Sequence, residues 1–218
     1  WYQFLIVLGI AEERLGLVPF CVDLEKFYPG SDEDRVKLRE KLHIEQSNLV
    51  IGFIASQLSD MDGRKGISCF LEATRKIHQE NKKIVTLIVG PGWQGLVTTL
   101  RNQCIRCIYI PYQIDHGEIA KLYRVLDVLW VTSRIEGGPV PLLEAMASGL
   151  HVHAFDYAAA GTLIKHGENG SLANYKNEVD YLSQAEELAI NWEANSHYSQ
   201  QARKTSEKIT WESISKHF

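Results

Sequence analysis

The sequence has no apolar run long enough to cross a membrane. Its most apolar opening, residues 4–10, falls far short of the roughly 20 residues a spanning helix needs. It shows no signal-peptide pattern and no initiator methionine, so a fragment or trimmed chain is the expectation. Charge of neither sign dominates: 27 acidic and 23 basic residues are well mixed, with a net charge of -4. That excludes the basic footprint of a nucleic-acid-binding protein. Cysteine is scarce, and four (Cys21, Cys69, Cys104, Cys107) in 218 residues do not make a disulfide framework. Cys104 and Cys107 have zinc-like spacing, but no second pair completes four ligands. A redox pair would sit at a helix N-terminus, whereas this one leads into a strand. All four are expected to be reduced, which favours the cytoplasm. His151 and His153 lie on one side of a strand with no further ligand evident, so a structural role is expected and no metal.

What is present suffices for a full core, as one large or two small domains: 45% of the residues are hydrophobic. Short apolar runs predict strands over 48–55, 84–89, 106–110, 127–132 and 150–155. A charged stretch after Ser31 predicts a helix over 32–42, a helix is expected over 67–79, and amphipathic stretches predict helices over 116–126, 178–192 and 193–209. A helix end is expected over 1–8, a further strand over 15–20, and a small-residue loop over 156–161. This alternation predicts an α/β fold, a doubly wound parallel sheet of Rossmann-like kind, with ligand at the strands' carboxyl ends.

The most informative stretch is 136–149, E-G-G-P-V-P-L-L-E-A-M-A-S-G. A buried strand precedes it, glycines and prolines break the chain, and a helix over 140–148 closes at Gly149. A helix N-terminus offers unpaired N–H groups and a positive dipole end, which suits phosphate. Pro139 and Pro141 carry no N–H, so Gly137, Gly138, Val140 and Leu142 must supply any amide cradle. Glu136 and Glu144 would repel phosphate but can accept hydrogen bonds from sugar hydroxyls, and a carboxylate takes two vicinal hydroxyls well. Phosphate amides flanked by hydroxyl acceptors describe a nucleotide-sugar site. The plain alternative is a solvated loop glutamate and a helix-surface glutamate. A second glycine turn, 90–95, is a formal G-x-G-x-x-G, the sign of an NAD(P)-binding oxidoreductase. It follows the second strand and not the first, and Asp115 fits the ribose acid poorly, so that alternative is weaker.

Residues 136–149 resemble the E-x7-E signature of retaining GT-B glycosyltransferases of the family-four type, the glycosyl transferases group 1. The resemblance extends along nearly the whole chain. Leu122-Tyr123 followed by residues 126–133 is similar to "L-Y-x-x-A-D-V-x-V-x-P-S", and 166–170 to the "x-G-x-N-G" turn. Thr210-Trp211-Glu212 resembles a closing "S-W-E". Val18-Pro19-Phe20 and Val22-Asp23 resemble the interdomain hinge, with Cys21 where glycine is usual. The resemblance implies the C-terminal, donor-binding half of a GT-B fold. Residues 1–30 would be a remnant of the N-terminal domain and the hinge, 31–209 the donor domain, and 210–218 the start of the crossover helix.

The implied activity is retaining transfer of a sugar from a nucleotide-diphosphate sugar to a glycan or lipid-linked acceptor, as in polysaccharide biosynthesis, without metal or other cofactor. The implied catalytic residues are Glu136, facing the donor sugar, and Lys65, reaching the diphosphate with Arg64 beside it. Glu144 would face the ribose, and backbone groups at Ile110 and Pro111 the nucleobase. Gln57 stands where a second basic residue is usual, which implies a one-cation clamp. Residues 158–162 replace the usual Gly-Gly and Glu, which removes donor-sugar contacts from that loop. The missing acceptor domain would be this half's partner, and peripheral membrane association would come through it. The half alone would bind donor without transferring sugar. The alternative is a non-catalytic nucleotide-sugar-binding domain.

Overall fold

The computed structural model describes residues 2–15, 20–56, 63–111, 113, 115–134, 138, 140–192 and 196–215. Six strands form one parallel sheet: β1 (Leu49–Ile54), β2 (Ile84–Val89), β3 (Arg106–Ile110), β4 (Val128–Val131), β5 (His151–Phe155) and β6 (Ser171–Ala173). Their spatial order is β3-β2-β1-β4-β5-β6, every pairing parallel. Chain order therefore reverses between β1 and β4. Strands β1, β2 and β5 are buried almost throughout, which explains their unbroken apolar runs.

Side chains alternate across the sheet and feed two separate cores. Leu49, Ile51 and Phe53 of β1 face one core, with Phe70 and Ile77 of α3 (Ile67–Glu80), Leu100 of α4 (Gln94–Asn102) and Tyr181 of α8 (Glu178–Ile190). Val50 faces the other core, with Tyr123 of α5 (His116–Val125), Leu142 and Met146 of α6 (Val140–Ala147) and Ala202 of α9 (Ser196–Ser206). Helices on both faces make this the doubly wound α/β fold of the Rossmann-like kind.

The remaining helices are short or peripheral. α1 (Tyr2–Val7) leaves Phe4 and Val7 exposed, Leu8 just beyond it is exposed too, and a 3-10 turn follows at Glu12–Arg14. α2 (Asp32–Lys41) starts at a capping box: Ser31 Oγ accepts from Asp34 N while the Asp34 carboxylate accepts from Ser31 N. α10 (Trp211–Ser215) leaves Trp211 exposed.

One expectation changes, and another falls mostly outside the described residues. The strand expected over 15–20 falls largely outside the described residues, and Leu15 and Phe20 at its ends are not in a strand. The loop expected over 156–161 instead leads into a helix, α7 (Ala159–Leu163). Alanine is the best helix former, so Ala159 and Ala160 carry that turn once Ala158, at φ 49°, reverses the chain.

α2 and β4 are tied to β1 by one buried charge cluster. The Asp127 carboxylate accepts from Val50 N at 2.7 Å, from Arg39 Nη2 at 2.8 Å, and from Arg35. Arg39 is only 1% exposed and also donates to the carbonyls of Val125 and Asn48. His151 and His153 are both buried: His151 Nε2 pairs with Ser171 Oγ at 2.8 Å and His153 Nε2 with Tyr181 O at 3.1 Å. Burial pushes the His153 imidazole down to about 4, so it is neutral at physiological pH.

Candidate functional site

An open doubly wound sheet binds ligands beyond the carboxyl ends of its strands, where chain order reverses and neighbouring connections lead to opposite faces. Here that point lies between β1 and β4. Pairing of β1 with β4 stops at Gly52–Leu129, whereas its pairing with β2 runs on to Ile54–Val89. Beyond Gly52 the two strands part, and a cavity of about 270 Å³ opens between them. It is walled by residues 53–56, by residues 129–133, by Lys65, and by Gly138, Val140 and Pro141 at the start of α6.

Among the described residues, Lys65 is the one ionisable side chain on that wall. Its backbone is fixed from below, since Thr132 Oγ1 donates to Lys65 O at 2.7 Å. Arg134 N donates to Arg64 O at 2.8 Å, a second strap between the same loops. Gly66 then turns the chain into α3 at φ 63°, and a Cβ there would lie 2.0 Å from Thr132 O. Only glycine permits both that angle and that approach. Arg64 is half-buried but does not line the cavity.

Gly138 and Val140 stand on the cavity wall. The Phe20 ring lies against Gly138, so close that a Cβ there would meet it at 2.0 Å. Glu136, Gly137, Pro139 and Gln57 lie outside the described residues.

Glu144 lies one turn into α6 and is only 8% exposed, so the helix-surface alternative does not hold. The fully buried Tyr123 hydroxyl donates to Glu144 Oε2 at 2.6 Å. Burial pushes the Glu144 carboxyl up, while the Tyr123 bond and then the charge of His116 pull it down.

Ile110 ends β3, an edge strand two places from the crevice, Pro111 follows it, and neither lines the cavity. The Ile110 carbonyl already accepts from Gly90 N at 2.9 Å. The glycine turn over 90–95 is closed by its own indole. Trp93 is 1% exposed, its Nε1 donates to Ala55 O at 2.7 Å, and its ring meets Phe53 edge-on at 5.2 Å. A dinucleotide fingerprint needs an open turn after the first strand, and this turn is neither open nor first.

Sequence reasoning missed several residues here. Ser56, Thr132 and Ser133 add polar wall to the cavity. Their place immediately after β1 and β4 was the available signal. Tyr123 was visible as part of an apolar helix face and of the Leu122-Tyr123 motif, neither of which points to Glu144. Among the described residues, no group of three or more His, Cys, Asp or Glu could hold a metal ion. No described helix is long and apolar enough to cross a membrane.

A parallel sheet in this order, with its crevice at the reversal, defines a doubly wound α/β domain of the Rossmann-like kind. The chain belongs to the glycosyl transferases group 1 family, whose model matches residues 34–205. It is similar to D-inositol 3-phosphate glycosyltransferase of Rhodococcus erythropolis, 24% identical over 215 residues, covering 94% of this chain and 47% of that protein. The chain spans about half the length of the curated relatives it matches. Among solved structures, HepE of Anabaena in complex with UDP and glucose superposes with a TM-score of 0.81 at 20% identity. That match covers 99% of this chain and 59% of HepE. The C-terminal domain of the group 1 protein LpcC from Francisella tularensis superposes with a TM-score of 0.72 at 24% identity, covering 87% of this chain and 99% of that domain. The fold is that of the C-terminal half of a GT-B glycosyltransferase.

Proposed function

We propose that this chain is the donor-binding half of a retaining glycosyltransferase that uses a nucleotide-diphosphate sugar. The carrying observation is the crevice at the sheet's reversal, which brings Lys65 to the same wall as the start of α6. In this reading Lys65 and the α6 amides neutralise the leaving diphosphate, an electrostatic contribution needing no metal. Glu136 faces the donor sugar, with Gly137, Gly138 and Val140 as the amide cradle and Arg64 adding positive charge nearby. Glu144 accepts the ribose hydroxyls. With the Ile110 carbonyl bonded to Gly90, the Pro111 carbonyl is the better candidate for the nucleobase. The solved complex of HepE with UDP and glucose supports this class of donor.

Residues 31–209 form the donor domain. Residues 1–30 and 210–218 lead to an acceptor domain that closes the other wall, in a cytoplasmic enzyme of glycan or glycolipid assembly. Transfer needs that domain, because donor and acceptor must be held against each other for reaction.

Calorimetry with UDP, GDP and ADP, paired with turnover of radiolabelled donor, tests this. The chain is expected to bind one diphosphate and to transfer no sugar. Glu144→Ala is expected to weaken that binding by about 1–3 kcal/mol, the scale of leaving hydrogen-bonding groups unpaired. Equal affinity in parent and variant would remove Glu144 from the site. Full transfer by these 218 residues alone would overturn the half-enzyme proposal.

A further inference from the structure

Tyr123 and Glu144 form a buried polar pair that donor binding alone does not require. The tyrosine comes from α5 and the glutamate from α6, 21 residues apart. The Tyr123 ring is held edge-on against Phe27, centroids 5.7 Å apart at 77°, so its hydroxyl has a fixed aim. That hydroxyl meets Glu144 Oε2, and Tyr123 is the one described residue that donates to this carboxylate. Oε1, and one lone pair of Oε2, remain as acceptors.

We propose that Tyr123 is a positioning residue: its hydroxyl fixes the Glu144 carboxylate, in its ionised form, as acceptor for the vicinal hydroxyls of a nucleotide ribose. This rests on the donor-site reading of Glu144 given above. The physical reason is charge. A carboxylate this far from water tends to take up a proton, and a protonated carboxyl is a weaker acceptor that competes as a donor. A hydrogen bond from a neutral phenol favours the ionised form without bringing in a cation that would pair with the carboxylate and withdraw it from ligand. Among the described residues, the charged and titratable groups that act on Glu144 are few. Tyr123 and His116 act on it from α5, and Arg203 of α9 donates to Ala147 O near the end of the same helix. Burial holds the Tyr123 phenol itself well above its ordinary range, so it remains a donor at all working pH.

Tyr123→Phe removes the donor and keeps the ring against Phe27, so the fold has every reason to survive. Two measurements decide the proposal. The first needs no ligand: the carboxyl infrared band of Glu144 is followed against pH, isolated by difference from Glu144→Gln. Its titration is expected to move to higher pH in Tyr123→Phe. The second is calorimetry with the diphosphate the parent binds, between pH 6 and pH 9. Tyr123→Phe is expected to bind several-fold more weakly than parent at pH 6 and to approach parent affinity at pH 9. Glu144→Gln should bind weakly with no such recovery. An unmoved carboxyl titration, or a Tyr123→Phe loss of the same size at every pH, would overturn the proposal. A parent chain that binds none of the three diphosphates would refute the ribose role and the donor reading together, and the infrared titration would still decide whether Tyr123 holds Glu144 ionised.

Discussion

Asp127→Ala is expected to destabilise the fold by about 3–5 kcal/mol, the cost of leaving a buried charge without its partner. Arg39 would remain inside, held only by the carbonyls of Val125, Gln46 and Asn48. The Val50 amide would lose its acceptor at the point where β1 meets β4. Because those two strands frame the crevice, the damage spreads to the site. Asp127→Asn keeps an acceptor for Val50 N and lacks the charge, so its loss should fall between parent and alanine. Urea unfolding of the three proteins measures this. A loss under about 1 kcal/mol for alanine, the scale of an exposed pair, would mean the cluster is solvated and not a clamp.

The second large effect is expected at Gly66. Alanine there must adopt φ 63°, which costs about 1–2 kcal/mol for a residue with a Cβ. It must also move away from Thr132 O, which its Cβ would otherwise meet at 2.0 Å. That displacement breaks the Thr132 bond to Lys65 O and shifts the lysine off the wall. Gly66→Ala should therefore lose about 2 kcal/mol or more of stability. It should also bind diphosphate as poorly as Lys65→Ala does. Gly63→Ala is the control, since Gly63 also has positive φ but nothing within 4 Å of its Cβ position. Gly63→Ala should lose stability through φ alone and retain affinity. Equal binding losses in both variants would contradict a role for the Gly66 contact.

Much of this fold is legible in the sequence because a parallel strand buried on both faces leaves an unbroken apolar run. Residues 49–54 and 84–89 are such runs, and their ends are right to within a residue or two. The start of α6 is legible for another reason: glycine and proline act locally, so the helix expected over 140–148 is found at Val140–Ala147. Strand order is not local. Nothing in residues 127–132 says that they pair with β1 and not with β3, yet that pairing creates the crevice. The same limit hid the Tyr123–Glu144 bond, which joins two helices whose patterns were read separately. It also hid the strap from Thr132 to Lys65, set by a backbone approach that only Gly66 permits. Asp127 was visible as one letter of a family pattern, while its partners Arg35 and Arg39 looked like ordinary surface charge on a polar helix.

The central claim is that Lys65 and the start of α6 hold a diphosphate, and one measurement addresses it directly. Lys65→Ala and the parent chain are compared by calorimetry against a nucleoside and its diphosphate, at low and high salt. The variant is expected to lose about 1.5–3 kcal/mol toward the diphosphate, the scale of a hydrogen bond to a charged group, and almost nothing toward the nucleoside. The difference should shrink as salt rises, because the contact is ionic and open to solvent. Equal losses toward nucleoside and diphosphate, unchanged by salt, would show that Lys65 holds the fold and not the ligand.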